Sequence, residues 1–80
     1  MPGEILELCD KLKRSCEELD IVIEITKVNL YKDAIPMWVF EFRSDKHACR
    51  LHFSELEILN TRSLDALHSF IIDYIKEKII

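Results

Sequence analysis

The sequence predicts an α+β domain of two layers, in which a three-stranded antiparallel sheet packs one face against an N-terminal and a C-terminal helix. Three consecutive stretches between residues 21 and 53 alternate apolar and polar residues, as strands with one buried face do. Amphipathic helical patterns precede and follow these stretches. The predicted element order is therefore α-β-β-β-α, within a single domain that spans residues 1–80.

The composition is that of a small globular protein. Of the 80 residues, 49% are hydrophobic and one is glycine, and the formal net charge is −4, so no strongly basic surface is expected. A core in a chain of this size contributes about 3–5 kcal/mol net, which favours a binding surface over an enclosed active site. The sequence shows neither a signal-peptide pattern nor an apolar stretch that could span a bilayer, so we expect a cytoplasmic protein without a membrane partner.

The first helix is predicted over residues 4–19. Its apolar residues recur at three- and four-residue spacing, which places them on one narrow face. They are Ile5, Leu8, Cys9, Leu12, Cys16 and Leu19. Three cysteines at irregular spacing favour free thiols in a reducing compartment over a disulfide framework.

The first strand begins after Asp20 with an alternating run of isoleucines. The alternation then slips, because Val28 and Leu30 fall on the opposite parity. Either a β-bulge near Thr26 and Lys27 re-aims the strand, or both faces of its far end are covered.

The second and third strands, residues 37–44 and 47–53, predict a hairpin with a defined register. A two-residue turn at Asp45 and Lys46 places Glu41 opposite Arg50, a favourable pair on the solvent side. A four-residue loop of equal parity is the alternative turn. The same register makes one buried face of six side chains, which are Trp38, Phe40, Phe42, Cys49, Leu51 and Phe53.

Residues 54–60 fit two structures. Ser54 and Glu57 have the spacing of a capping box and predict a short helical turn, whereas Leu56 and Ile58 would also continue a strand.

The final helix is predicted from about Leu64 to Lys78, with an apolar arc that covers about half of its circumference. A single buried stripe is narrower, typically about 100°. The helix therefore either lies centrally, in contact with both the sheet and the first helix, or presents its margin near Phe70 and Ile72 to a partner.

The sequence predicts no catalytic, cofactor or metal site. In His47-x-Cys49-x-x-His52, the second histidine points to the opposite face of a strand from the other two residues, so the three ligands do not converge. His68 and Cys16 lie on the apolar sides of their helices, where a base and a nucleophile could meet, but a histidine there is more often a core residue. We expect a protein without enzymatic activity; a small hydrolase or transferase is an alternative.

A nucleic-acid binder is the other alternative. Helix–three strands–helix is also the element order of double-stranded-RNA-binding domains, which use basic residues at the start of their second helix. Residues 60–65 here hold one base and one acid, so we infer no membership. The bases of the middle segment would have to serve instead, namely Lys27, Lys32, Arg43, Lys46 and Arg50.

The leading hypothesis concerns the sheet face turned away from the helices. Aliphatic residues gather at one end of that face, around Val28, Leu30, Met37 and Val39, and such a patch is large for a small monomer to expose. Either residues 31–36 or residues 54–60 fold over it, or it contacts another chain. We therefore expect a non-enzymatic protein-interaction module, an inhibitor, adaptor or regulator that occupies a partner protein or forms a homodimer. Small phage-encoded inhibitors are similar in size, acidity and mixed α/β order.

Overall fold

The computed structural model describes residues 3–29, 31–32 and 34–79. It confirms the predicted fold class, a small α+β domain with a three-stranded antiparallel sheet. Along the chain, one helix precedes the three strands and two helices follow them. The elements are α1 (Gly3–Glu18), β1 (Val22–Val28), β2 (Met37–Arg43), β3 (Ala48–Ser54), α2 (Glu55–Leu59) and α3 (Leu64–Ile79).

A Schellman motif ends α1 and turns the chain into β1. Asp20 adopts the left-handed conformation with φ 57°. Its amide donates to the Glu17 carbonyl at 3.2 Å, and the Ile21 amide donates to the Cys16 carbonyl at 2.8 Å. Ile21 and Cys16 are both buried, so the apolar contact that accompanies this motif is also present. The motif fixes the start of β1 against the end of α1.

The hairpin of β2 and β3 has the predicted register. Phe40 lies opposite Leu51, and Glu41 lies opposite Arg50. The predicted two-residue turn is also confirmed, because the Ser44 amide donates to the His47 carbonyl at 2.8 Å and closes the hairpin. The strand order is β1-β2-β3, so β2 is central and the other two strands are edges.

β1 pairs with β2 along its whole length. The pairs run from Val22 opposite Arg43 to Val28 opposite Met37 without an extra residue. The β-bulge, which was one of the two explanations given for the slip in alternation, is therefore wrong. The strand keeps its alternation, which places Val28 on the face away from the helices and Lys27 on the face toward them.

The core lies between the helices and one face of the sheet. Its residues are Ile5, Leu8, Cys9, Leu12, Cys16, Ile21, Trp38, Phe40, Phe42, Ile58, Ile71, Ile72, Ile75 and Ile79. The prediction that all six apolar hairpin residues are buried is right for β2 and wrong for β3. Cys49, Leu51 and Phe53 are only half-buried, because β3 is an edge strand with a neighbour on one side.

The ambiguous segment after β3 forms the helix α2. The Ser54 hydroxyl accepts from the Glu57 amide and the Glu57 carboxylate accepts from the Ser54 amide, both at 3.1 Å, which completes the capping box. Ile58 is fully buried in the core, and the Glu55 amide donates to the Pro36 carbonyl at 2.9 Å. These contacts hold α2 on the helical side of the sheet.

The two long helices lie side by side and run parallel. Lys11 of α1 forms an ion pair with Asp65 of α3, and the next turn of each helix is joined by Ser15 and His68. Because the residue numbers rise together along both helices, their directions agree. α3 also packs against β3, so it takes the central position that its wide apolar arc predicts.

Candidate protein-interaction surfaces

The outer face of the sheet is the face turned away from the helices, and alternate residues of the three strands form it. From one end to the other, its rows are Val22–Arg43–Ala48, Glu24–Glu41–Arg50, Thr26–Val39–His52 and Val28–Met37–Ser54. Charged side chains therefore lie near one end and aliphatic side chains near the other.

The aliphatic patch consists of Val28, Met37 and Val39. Val28 lies directly opposite Met37, and Val39 follows two residues along β2, so the three side chains are neighbours on one face. All three are half-buried. Leu30, which was predicted to belong to the same patch, lies outside the described residues.

The two segments predicted as possible covers of this patch have different positions. α2 packs Ile58 into the core, so it lies on the helical side and leaves the outer face open. In the preceding loop, Tyr31 and Ile35 are 77% and 49% exposed. Within the described parts of the chain, the aliphatic patch is an open surface flanked by further exposed apolar side chains.

Two ion pairs occupy the polar end of the outer face. Arg43 Nη2 lies 3.3 Å from Glu24 Oε2, and Arg50 Nη2 lies 3.4 Å from Glu41 Oε1. The first pair is solvent-exposed and the second is partly exposed, so each contributes at most about 1 kcal/mol to stability. Their main effect is to leave this end of the face with balanced charge.

The five bases considered for nucleic-acid binding do not form one surface. Lys27 lies on the inner face with its ammonium 5.7 Å from the centre of the Trp38 ring. Lys32 and Lys46 lie in the β1–β2 and β2–β3 connections, which are at opposite ends of the sheet. The two arginines, Arg43 and Arg50, are each paired with an acid.

The margin of α3 that was predicted to face a partner, near Phe70 and Ile72, has one buried and one exposed residue. Ile72 is 9% exposed and belongs to the core, which corrects its prediction as a partner-binding residue, whereas Phe70 is 57% exposed. Ile72 is buried because it lies on the same side of α3 as the residues that face α1. At about 100° per residue, Leu67, Phe70 and Tyr74 lie on the opposite flank of the helix.

Ser15 is a candidate that the sequence analysis missed. Its Oγ lies 2.9 Å from His68 Nε2, a spacing suited to a nucleophile and a base, whereas the predicted pairing of His68 was with Cys16. Both residues lie inside helices, where backbone amides are already hydrogen-bonded and do not serve as oxyanion donors. The pair therefore acts best as an interhelical hydrogen bond. The helical wheel could have revealed it, because Ser15 lies beside the apolar stripe.

The cysteines are free thiols with raised pKa values. Burial raises the pKa of Cys16 from 9.0 to about 11, and burial also raises the pKa of Cys9. For Cys49, burial raises the pKa and the nearby Lys78 ammonium opposes the rise. Protonated thiols are weak nucleophiles and weak metal ligands at neutral pH.

The three residues of metal-ligand type, His47, Cys49 and His52, diverge as predicted. Cys49 faces the inner side and His52 the outer side of β3, while His47 closes the hairpin turn. Among the described residues, no group of three potential ligands is close enough to hold a metal ion. The expectation of no bound metal stays a prediction that elemental analysis of the purified protein tests.

Surface depressions are present in the described structure, and two of them have defined linings. The larger, about 380 Å³, is lined by Leu19, Asp20, Ser44, Asp45, Lys46, His47 and Ile79. The smaller, about 200 Å³, is lined by Glu4, Ile58, Leu59, Thr61, Arg62, Ser63 and Leu64. Neither adjoins the Ser15–His68 pair, so neither would bring a substrate to it.

Known proteins give no further guidance to function. No known protein family matches the chain, and no curated protein or solved structure is significantly similar to it. In the described residues, no helix has both the length and the apolar character needed to cross a membrane.

Proposed function

We propose that this protein is a non-enzymatic protein-interaction module that contacts its partner through the outer face of the sheet. The observation that carries the proposal is the aliphatic patch of Val28, Met37 and Val39, three adjacent side chains on the face that the helices leave open. Burying apolar surface is the dominant favourable term in most protein associations, and a partner would bury this one.

Among possible partners, we infer that a second copy of the chain suits this face best. Its polar end carries two acids and two bases as internal pairs, so two copies can approach face to face without net repulsion. A three-stranded sheet face is small compared with the roughly 800 Å² that each partner buries in a standard interface. The proposed contact is therefore a weak, concentration-dependent one.

The role that follows is that of a cytoplasmic adaptor, inhibitor or regulator, which works by occupying a protein. The nucleic-acid alternative has less support, because its five bases are divided between two faces and two ends of the sheet and both arginines are paired with acids. The hydrolase alternative is supported by the Ser15–His68 distance alone.

Sedimentation velocity across a range of concentrations tests the proposal. Val39→Asp should keep the fold, because Val39 points away from the core, and should abolish association, because a charge would be buried without a partner. Val22→Asp is the matched control, since Val22 lies on the same face at the opposite end and is 67% exposed.

The outcomes separate clearly. Association that is lost in Val39→Asp and kept in Val22→Asp supports the outer-face contact. Equal association of both variants contradicts it, and an unfolded Val39→Asp protein would show that the outer face is covered.

A further inference from the structure

We propose that protonation of His52 controls self-association through the outer face of the sheet, so that two copies of the chain bind each other at neutral pH and separate at mildly acidic pH. This inference rests on the outer-face contact proposed above and adds its regulation. His52 belongs to the row Thr26–Val39–His52, beside the aliphatic patch.

His52 lies next to the aliphatic patch. It is directly opposite Val39 in the ladder of β2 and β3. The hairpin closes with a hydrogen bond from the Ser44 amide to the His47 carbonyl, and hydrogen-bonded and non-hydrogen-bonded pairs alternate from that closure. Val39 and His52 therefore form a non-hydrogen-bonded pair, the type in which the two side chains are closest. A partner that covers Val39 would also remove water from the His52 ring.

The charged neighbours of His52 on the sheet do not favour its protonated form. On β3, the charged residue beside it on this face is Arg50, which has the same sign as a protonated histidine. On β2, the diagonal neighbour is Glu41, whose carboxylate lies 3.4 Å from the Arg50 guanidinium. In the part of the chain that the structure describes, His52 takes part in no ion pair.

The other elements around β3 add no free acid. α1 and α3 pack on the inner face of the sheet, so their charged residues do not face His52. α2 contributes two acids that already accept hydrogen bonds, Glu57 from the Ser54 amide at 3.1 Å and Glu55 from the Trp38 ring nitrogen at 3.4 Å. The β1–β2 connection, at this end of the sheet, contributes Lys32, another base.

Association and protonation of His52 therefore oppose each other. A neutral imidazole can enter an apolar contact at modest cost, whereas an imidazolium without a counter-charge is disfavoured there. The associated chain then binds protons less readily than the free chain. By linkage, association is fully present above the pH range in which histidine titrates and is lost as the pH falls through that range. Because each copy contributes one His52, two protons are taken up for each dimer that separates.

The net charge of the chain predicts the opposite pH dependence. The formal net charge is −4 at pH 7, and mild acidification brings it toward zero, which reduces repulsion between copies. Weaker association at lower pH must therefore come from a specific group at the contact. Of the three histidines, His47 lies in the hairpin turn at the opposite end of the sheet, and His68 is bonded to Ser15 between the helices.

Sedimentation velocity at about pH 8 and about pH 6, at one ionic strength, tests the inference. Histidine side chains typically gain their proton near about pH 6.5, so the exclusion of two such protons from the dimer should lower the association constant about tenfold at the lower pH. His52→Gln keeps a neutral polar side chain and should associate equally at both pH values. His47→Gln replaces another exposed histidine, far from the patch, and should keep the pH dependence of the natural chain.

The NMR titration of the histidine rings gives a second readout, which does not depend on how well His52→Gln associates. In a solution concentrated enough for association, the titration midpoint of His52 should lie at lower pH than in a dilute solution. The midpoint of His47 should be the same in both. Circular dichroism at the two pH values checks that the chain stays folded.

The inference is overturned if the natural chain associates equally at both pH values, if His52→Gln keeps the pH dependence, or if the His52 midpoint is independent of protein concentration. Each of these results leaves the outer-face contact standing. A natural chain that associates at neither pH contradicts the outer-face contact itself and the inference with it. Association that is weakened at about pH 6 in the natural chain and kept in His52→Gln supports both.

Discussion

The Ser15 hydroxyl lies 2.9 Å from Nε2 of His68, and this hydrogen bond joins the C-terminal part of α1 to the N-terminal part of α3. Together with the Lys11–Asp65 ion pair one turn earlier, it aligns α1 parallel to α3. Lys11 also lowers the pKa of Asp65, by hydrogen bonding first and by its charge second. Because these contacts lie at the margin of the core, they determine the alignment of the two helices more than they stabilise the fold.

Ser15→Ala should therefore lower the free energy of unfolding by only about 1 kcal/mol, the typical net value of one hydrogen bond. Urea denaturation followed by circular dichroism measures it. Ser69→Ala, at an exposed site of α3, is the control for the change in helix propensity. A loss of several kcal/mol would mean that the Ser15–His68 contact supports the helix packing as a whole.

Phe40→Ala should cost about 3–5 kcal/mol, enough to unfold most of a domain this small. Phe40 is fully buried on the central strand, and its ring centre is 6.1 Å from that of Phe53. Phe70→Ala removes the same side chain from a site that is 57% exposed and should cost much less. Thermal unfolding of the two variants compares them, and a folded, fully stable Phe40→Ala protein would contradict the core assignment.

The register of the hairpin could be predicted from the sequence because two separate patterns in it require the same register. The parity of the aromatic residues and the charges of Glu41 and Arg50 allow one register with a two-residue turn, and the structure has that register. The capping box at Ser54 was equally visible, since Ser and Glu three residues apart are a local signal.

The remaining features depend on which element is the neighbour of which. Half-burial of Leu51 follows from the edge position of β3, which the alternation of apolar residues does not reveal. Ile72 and Phe70 belong to one wide apolar arc, and only the position of α1 beside α3 separates the buried residue from the exposed one. The alternation of apolar residues in β1 only appeared to slip at Val28. The strand is regular, and Val28 is an aliphatic residue on the outer face, where a polar residue is expected because no helix packs there.

Alkaline pH should destabilise the fold through Cys16. Its pKa is raised in the folded protein, so the unfolded thiol ionises near 9.0 while the folded thiol stays protonated to about 11. The contribution of this thiol is thus fully present below about pH 9 and is lost as the pH rises toward about 11. Urea unfolding under reducing conditions from about pH 8 to about pH 11 measures the loss.

Cys16→Ala is the control for that pH dependence, because it removes this thiol and leaves every other titratable side chain in the chain. The stability advantage of the natural chain over this variant should shrink as the pH rises. A difference between the two proteins that stays constant over the range would show that Cys16 ionises equally well in the folded state.

Asp20→Gly should stabilise the protein. The residue has φ 57° at the end of α1, where a side chain with a Cβ costs about 1–2 kcal/mol and glycine does not. The greater freedom of glycine in the unfolded chain offsets roughly 0.4–1 kcal/mol of that gain. We expect a net increase of up to about 1 kcal/mol in the free energy of unfolding, measured by urea denaturation.

Asp10→Gly is the control, because it introduces glycine at an exposed position inside α1. This substitution should lower the free energy of unfolding, since glycine lowers helix propensity there. If both substitutions destabilise the protein, then the Asp20 side chain itself contributes to the turn between α1 and β1.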